Sequence, residues 1–387
     1  MGNESIKIND NNYEIPLNKI ILIQKAWRKK RKIKKLILKN KITITTSSNN
    51  SLPGMEIENF DADCLITKEA KETENKIGEF TLLNKKKEKF NNDKNYIKIK
   101  RLYNNNTIYI GTINKKNLLK EGFGILFNIN EASKYTGEFY NDQFNGIGRF
   151  LFNDGSYYEG MFENGLQKGY GKYEYENYSY IGNWINNKKN GFGEENFPDN
   201  SNFKGYFIDD HKEGIGIFKY PNCNKSIEGN FNKNNEINGI CRMISIEEEK
   251  ISIGIWEKGK MNGLNIFIWG KENKIFFGEY KNFIKNGFGV YFFEEQYLYM
   301  GFWINGYQHG YGIIKDLINN NKNLYFFRYG KEISEIKEND DKYNDYNNLI
   351  ENKNKEFEQY IKNQFNIDGI LDKKIKEKIE IYNFINK

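Results

Sequence analysis

A five-residue pattern recurs through the middle of this chain at a spacing that few folds accommodate. In Tyr135-Thr-Gly137-Glu-Phe139 an aromatic leads, Gly follows after two positions and a second aromatic after four; beyond a polar turn, Gly146-Ile-Gly148 opens at eleven. Full copies start at Tyr158 (Gly160, Phe162), Tyr180 (Gly182, Trp184), Phe203 (Gly205, Phe207), Phe276 (Gly278, Tyr280) and Tyr299 (Gly301, Trp303), each closed by its own Gly-x-Gly. Copies at Ile227 and Ser252 are worn: Gly229, Phe231, Gly254 and Trp256 remain, but Cys241 and Asn265 replace the last Gly. Tyr109 starts a looser first copy, and Tyr325 to Tyr329 a tenth in which Phe327 stands in the place of Gly. The starts at 109, 135, 158, 180, 203, 227, 252, 276, 299 and 325 lie 22 to 26 residues apart, which marks an array whose units contact only their neighbours.

Within a copy the alternation is two-fold, so Tyr135, Gly137 and Phe139 share one face of a strand. Two such runs around a polar, Gly-containing segment make one β-hairpin per copy. The fourth-position residues Phe139, Phe162, Trp184, Phe207, Phe231, Trp256, Tyr280, Trp303 and Tyr329 are expected to form one aromatic ladder, the core of the array. The glycines leave slots where a neighbouring ring or backbone approaches, and a Gly at a strand entrance permits a bulge or positive φ.

These residues resemble the MORN (membrane occupation and recognition nexus) repeat over roughly 109–330. The resemblance implies a mainly β fold: an elongated, single-layer antiparallel hairpin array curved into an open trough. Nine two-stranded copies at a strand spacing of ~4.8 Å would extend about 85 Å. The chain then divides into a flexible N-terminus (1–16), a basic helix (17–41), a low-complexity linker (42–95), the array (96–330) and C-terminal helices (331–387). The abundant Asn and Lys read as drift in tolerant loops.

Residues 17–41 carry eleven Lys/Arg and no acid, and residues 1–50 hold a net +9 in a chain of net +7. Such asymmetry marks an interaction segment. Pro16 suits a helix start, and Ile20, Ile23 and Trp27 keep helical spacing. Ile23-Gln24-Lys25-Ala26-Trp27-Arg28 resembles the first half of an IQ motif, which implies calmodulin or another EF-hand protein as partner: Ile23 is the apolar anchor, Gln24 the amide and Arg28 the base. Trp27 and Leu36 are also spaced as two anchors for a calmodulin groove. The alternative is an acidic surface, phospholipid above all. At the other end Tyr346, Ile350, Phe357, Ile361 and Phe365, then Leu371, Ile375, Ile379, Tyr382 and Ile385, define two helical faces, expected to cap the last hairpin or to form a homodimer.

No enzyme is expected. Gly254 to Met261 nearly spells a phosphate-binding loop, but Met261 replaces the magnesium-binding Ser/Thr, and the segment belongs to a hairpin. No Gly-x-Gly extends to a dinucleotide fingerprint. His211 and His309 lack partners at ligand spacing, and Glu247-Glu248-Glu249 reads as a solvated loop, so neither metal nor cofactor is expected. Cys64, Cys223 and Cys241 show no pairing pattern, and no apolar run approaches a membrane span, so a cytoplasmic protein is expected. Between 109 and 330, 25 bases meet 26 acids, so nucleic acid is not expected and anionic lipid would find little there. MORN proteins of radial spokes and of cortical cytoskeletons make a non-catalytic scaffold, ciliary or cortical and cytoskeleton-associated, the leading implication of the resemblance. A membrane tether using the basic helix is the alternative.

Overall fold

The computed structural model describes residues 43–44, 55–78, 80, 93–293 and 296–364. The basic segment with Ile23, Gln24, Trp27, Arg28 and Leu36, and the second C-terminal helix expected from Leu371 to Ile385, lie outside them. The chain divides between Gly191 and Phe192 into two units. In the first, β1 (Thr43–Ile44), β2 (Met55–Asn59), β3 (Tyr96–Leu102), β4 (Thr107–Asn114), β5 (Lys120–Asn128), β6 (Ser133–Tyr140), β7 (Gln143–Leu151), β8 (Tyr157–Glu163), β9 (Leu166–Tyr175) and β10 (Tyr178–Ile185) pair antiparallel in chain order. The division falls within β11 (Lys188–Asn196). In the second, β12 (Asn202–Ile208), β13 (His211–Tyr220), β14 (Lys225–Phe231), β15 (Ile237–Ser245), β16 (Lys250–Glu257), β17 (Lys260–Trp269), β18 (Lys274–Lys281), β19 (Ile284–Phe293), β20 (Tyr297–Ile304), β21 (Tyr307–Asp316), β22 (Asn321–Arg328) and β23 (Lys331–Ile336) do the same. The mainly β, single-layer hairpin-repeat class expected from the sequence is what the chain adopts.

The turns give the asparagines a role that drift does not. Tyr140 pairs with Gln143 across Asn141-Asp142, whose φ values are +48° and +67°. Asn186-Asn187, Asp209-Asp210, Asn164-Gly165 and Asn305-Gly306 repeat this doubly positive geometry. Such two-residue turns match the twist of the flanking strands and demand residues that tolerate left-handed backbone, which Asn and Asp do best after Gly.

Three glycines of a full hairpin are forced by geometry. Gly146, the first of its Gly-x-Gly, has φ +76° where the register slips between Gly137 and Phe139. Gly148 faces Gly137 across the ladder, and the Tyr135 ring lies over both. A Cβ on Gly137 would sit 2.5 Å from Gly148 Cα, and one on Gly148 would run into the ring. The slot is thus filled by the leading aromatic of the same repeat. Its hydroxyl donates to Glu138 O at 2.9 Å; Tyr158, Tyr180 and Tyr299 likewise reach the carbonyl three residues on.

The fourth-position rings do not stack on one another as a simple ladder. In the full copies they stand edge-on between two leading rings: Phe139 meets Tyr109 at 5.1 Å and Tyr135 at 5.2 Å, Phe162 meets Tyr135 and Tyr158, Trp184 meets Tyr158 and Tyr180, and Trp303 meets Phe276 and Tyr299. Phe139, Phe162, Trp184, Phe207, Phe231, Trp256, Tyr280 and Trp303 are all buried. The tenth copy is offset by two residues from its expected start. Gly310 pairs with Phe327 and Gly312 with Tyr325, so Phe327 is the fourth-position ring, 5.3 Å from Tyr299, and Tyr329 is an exposed turn residue.

The worn copies compensate internally. Where Ser252 replaces the leading ring, Asn265 occupies the space over Gly254. Its Nδ2 donates to Ile255 O at 3.1 Å, the carbonyl that a leading Tyr would reach. Where Ile227 leads, buried Cys241 faces Gly229, and burial pushes its thiol up to about 12.

Cations lie over this aromatic face. Lys212 sits 5.0 Å from Phe197 and 5.3 Å from Phe203 and pairs with buried Glu195 at 2.7 Å. Lys285 lies 4.2 to 5.1 Å from Tyr291, Phe276, Trp303 and Trp269. Burial, with Lys274 nearby, pushes its ammonium down to about 8, while the four rings attract the charged form.

The opposite face is covered by segments outside the repeats. In the first unit residues 55–78, expected to belong to a linker, fold as β2, a 3-10 turn (Ala62–Cys64) and helix α1 (Lys68–Ile77). Ile57 and Leu65 pack with Leu102, Ile108 and Phe127, and Ala70 packs with Leu151 and Tyr157. Thr67 caps α1, accepting from Ala70 N at 3.1 Å, and Thr73 donates to Gly155 O at 2.8 Å. In the second unit helix α2 (Tyr343–Gln364) lays Tyr343, Ile350 and Phe357 on Phe277, Phe288, Val290, Leu298, Met300, Ile313 and Leu324. The cap expected over the last hairpin is therefore a cover on the face of the sheet. β23 ends the sheet with Lys331, Glu332 and Glu335 exposed.

Two outcomes follow for stability. Tyr135→Ser alone leaves a cavity costing ~3–5 kcal/mol, and Gly148→Asn alone clashes with the ring. Combined, they copy the Ser252–Asn265 arrangement, so denaturant unfolding should show costs below additive by about 1–3 kcal/mol; strict additivity would mean ring and residue do not share one space. For Lys285 the folded state loses its proton at about 8 and the unfolded chain at the ordinary 10.5, so the burial penalty is full below that window and fades as pH rises through it. Urea midpoints of wild type should rise relative to Lys285→Met from pH 8 to 10.5, and a constant difference would contradict the burial.

Candidate interaction surface

The aromatic face is filled by its own rings, so a surface for another molecule has to come from the opposite face. Strand alternation puts the middle residue of every Gly-x-Gly there. In nine successive copies it is apolar: Phe123, Ile147, Tyr170, Phe192, Ile215, Ile240, Leu264, Phe288 and Tyr311. This regularity is visible in the sequence alone, beside the stronger signal of the flanking glycines.

The neighbouring row on that face changes character along the chain. In the first unit Arg149 pairs with Glu159 at 2.7 Å, and in the second Arg242 Nε donates to Glu228 at 3.0 Å and Lys204 lies 3.5 Å from Glu194. From Ile253 onward the row turns apolar, through Ile253–Ile266, Phe277–Val290 and Met300–Ile313. This wide apolar field is where α2 sits. Where charges flank the row it is only one residue wide and open: Tyr170 is exposed in the first unit, and Phe192, Tyr206, Ile215 and Ile240 are exposed in the second. Phe192 and Tyr206 meet edge-on at 5.5 Å.

Beside α2 a cleft of about 390 Å³ is lined by Phe302, Tyr311, Tyr346, Leu349, Ile350 and His309. His309 Nδ1 accepts from Tyr329 N at 3.4 Å and its ring packs on Tyr329. Among the described residues no group of His, Cys, Asp or Glu is placed to hold a metal ion, and no helix is long and apolar enough to cross a membrane. Gly254 to Met261 spans the β16–β17 turn, as a hairpin reading requires. The repeat residues Gly137, Gly160, Gly182, Gly205, Gly254, Gly278 and Gly301, with their aromatic partners, are brought together as core and not as a binding site.

No curated protein matches the chain by sequence. Among solved structures, the TCP domain of Drosophila melanogaster SAS-4 (dCPAP), determined with a proline-rich motif of Ana2 (dSTIL), is similar at 11% identity and a TM-score of 0.25, over 47% of this chain and 84% of that one. Citrobacter koseri AztD is similar at 9% identity and a TM-score of 0.12, over 59% of this chain and 91% of that one. The family model described as MORN repeat matches residues 135–157, 158–179, 180–202, 203–222, 253–272 and 299–315, so MORN repeats are found at six of the hairpin copies described above.

Proposed function

We propose that this chain is a non-catalytic scaffold or adaptor in a cytoskeletal assembly, ciliary or cortical, that carries partner proteins along its hairpin array and recruits calmodulin or another EF-hand protein through residues 17–41. The observation that carries the scaffold reading is the row of apolar residues, one per repeat, on the face that the hairpins do not fill themselves. A row of fixed spacing suits extended or helical partners, and the comparisons indicate no catalytic family. A cytoplasmic, cytoskeleton-associated location accords with this reading, as does a homodimer made through the C-terminal helices.

Within the basic segment Ile23 and Trp27 are the apolar anchors, Gln24 and Arg28 the polar contacts and Leu36 the second anchor. One observation favours a second reading, a membrane tether: eleven bases without an acid would also hold an acidic phospholipid surface. The two respond differently to change. An EF-hand lobe buries the apolar face, so loss of the Trp anchor costs ~2–4 kcal/mol. A lipid surface counts charges and is screened by salt.

The full chain and its Trp27→Ala variant should therefore be titrated with calmodulin, with and without calcium. Binding weakened by the substitution and only partly reduced by salt is the expected result. Equal binding by both forms, abolished in both by moderate salt, would dismiss the EF-hand assignment, and pelleting with acidic liposomes would then put the tether first.

A further inference from the structure

On the face away from the rings, each strand from β11, where the second unit begins, to β16 gives one side chain to a row: Phe192, Tyr206, Ile215, Asn230, Ile240 and Ile255. Ile215 pairs with Asn230 and Ile240 with Ile255, and the Phe192 and Tyr206 rings touch. Phe192, Tyr206, Ile215 and Ile240 are 45%, 51%, 68% and 49% exposed. Asn230 is exposed as well, and its side-chain amide makes no hydrogen bond among the described residues. The row is thus apolar with one amide in it.

Further along, the same row runs through Leu264, Glu279, Phe288, Phe302 and Tyr311 and passes beneath α2. α2 therefore shows what this face accepts. It buries Tyr343, Ile350, Asn354 and Phe357 and stacks Tyr346 on Tyr311, a seam at steps of three and four residues, again with one amide. Such a seam sets a side chain about every 5.2 Å along a helix, and the row sets one about every 4.8 Å across the strands. A helix also bonds its own backbone, whereas an extended segment on a sheet face meets no free edge and leaves its amides without strand partners. Over the wide apolar field α2 runs obliquely: about 16 Å of helix separates its contacts with Tyr311 and Phe288, which lie about 10 Å apart across two strands. The open row is one residue wide, so a helix there has to follow it.

We propose that the open row is the docking site of a partner's amphipathic α-helix, which runs along the row with apolar residues three and four apart and a side-chain amide facing Asn230. The Lys204–Glu194 and Arg242–Glu228 pairs along one side suit a helix whose flank carries both signs of charge. A polar pair within an apolar seam fixes the register of the two partners. This inference rests on the scaffold reading, for which it names the chemistry of the partner.

A synthetic peptide of residues 343–364 supplies a seam of this form and serves as the probe, titrated by fluorescence anisotropy with the full chain. Ile215→Asp or Ile240→Asp in the chain should weaken binding about tenfold, and Ile318→Asp, at a turn residue 73% exposed, should leave it unchanged. Glu351→Pro in the peptide keeps every seam residue but prevents the helix, and should lose binding to the same degree. Asn354→Leu in the peptide should weaken binding to wild type several-fold, and Asn230→Leu in the chain should restore it. The substituted chain positions are exposed, and unchanged far-ultraviolet circular dichroism checks that the array is kept. Binding that Ile215→Asp weakens and Glu351→Pro does not would overturn the helix, while the row would remain a docking surface and the scaffold reading would stand. A loss at Asn354→Leu that Asn230→Leu does not restore would overturn the facing of the two amides. No binding, or binding indifferent to both Ile215→Asp and Ile240→Asp, would overturn the proposal and with it the observation that carries the scaffold reading.

Discussion

Tyr135 rests flat across Gly137 and Gly148 because neither strand carries a Cβ there, and its hydroxyl reaches the Glu138 carbonyl only from that position. Most of the array follows from this placement. The ring, lying down, turns its sides to the fourth-position rings of its own and the following repeat, and these meet it edge-on. Each such pair contributes ~0.5–1.5 kcal/mol beyond the area it buries. The glycines are therefore part of the core by what they leave out, and the worn copies support the point. Asn265 can replace Gly only where Ser252 has replaced the ring, and it then makes the bond that a Tyr hydroxyl would have made.

Filling one face from within has a cost on the other. A single-layer sheet has no second sheet to cover it, so the opposite face must be polar, covered or available. All three solutions occur here. Ion pairs such as Arg149–Glu159 and Arg242–Glu228 keep part of it polar, α1 and α2 cover other parts, and the middle residues Tyr170, Phe192, Ile215 and Ile240 stay open. The array is thus asymmetric: the leading rings are buried and hold the hairpins together, whereas Ile215 and Ile240 lie open to solvent.

The period and the strand alternation were legible because they rest on side-chain volume at fixed spacing, and both are carried by rings and glycines that nothing else explains. What escaped had weaker local signals. Asn141-Asp142 and Asn186-Asn187 looked like composition, since a left-handed turn leaves no trace except the residues that tolerate it. The start of the tenth repeat is ambiguous by two residues in the sequence because Tyr325, Phe327 and Tyr329 offer three rings for two places, and only pairing with Gly310 and Gly312 decides between them. Residues 55–78 read as low complexity, yet Ile57, Leu65 and Ala70 find partners far along the chain, at Leu102, Ile108, Phe127 and Leu151, which no local pattern announces. The helical face of Tyr346, Ile350 and Phe357 was readable, but its place on the sheet's face and not over its end was not, because periodicity says which side of a helix is apolar and nothing about where it goes.

Among the described residues β23 pairs only with β22, and its Lys331, Glu332 and Glu335 are open to water. A row of free backbone donors and acceptors is otherwise a template on which a further chain can grow. Two molecules meeting at this edge would have to strip the hydration from those charges before their backbones could join. The last described strand thus sets three charges against the addition of a further hairpin, with Ile333 the one apolar residue exposed along it.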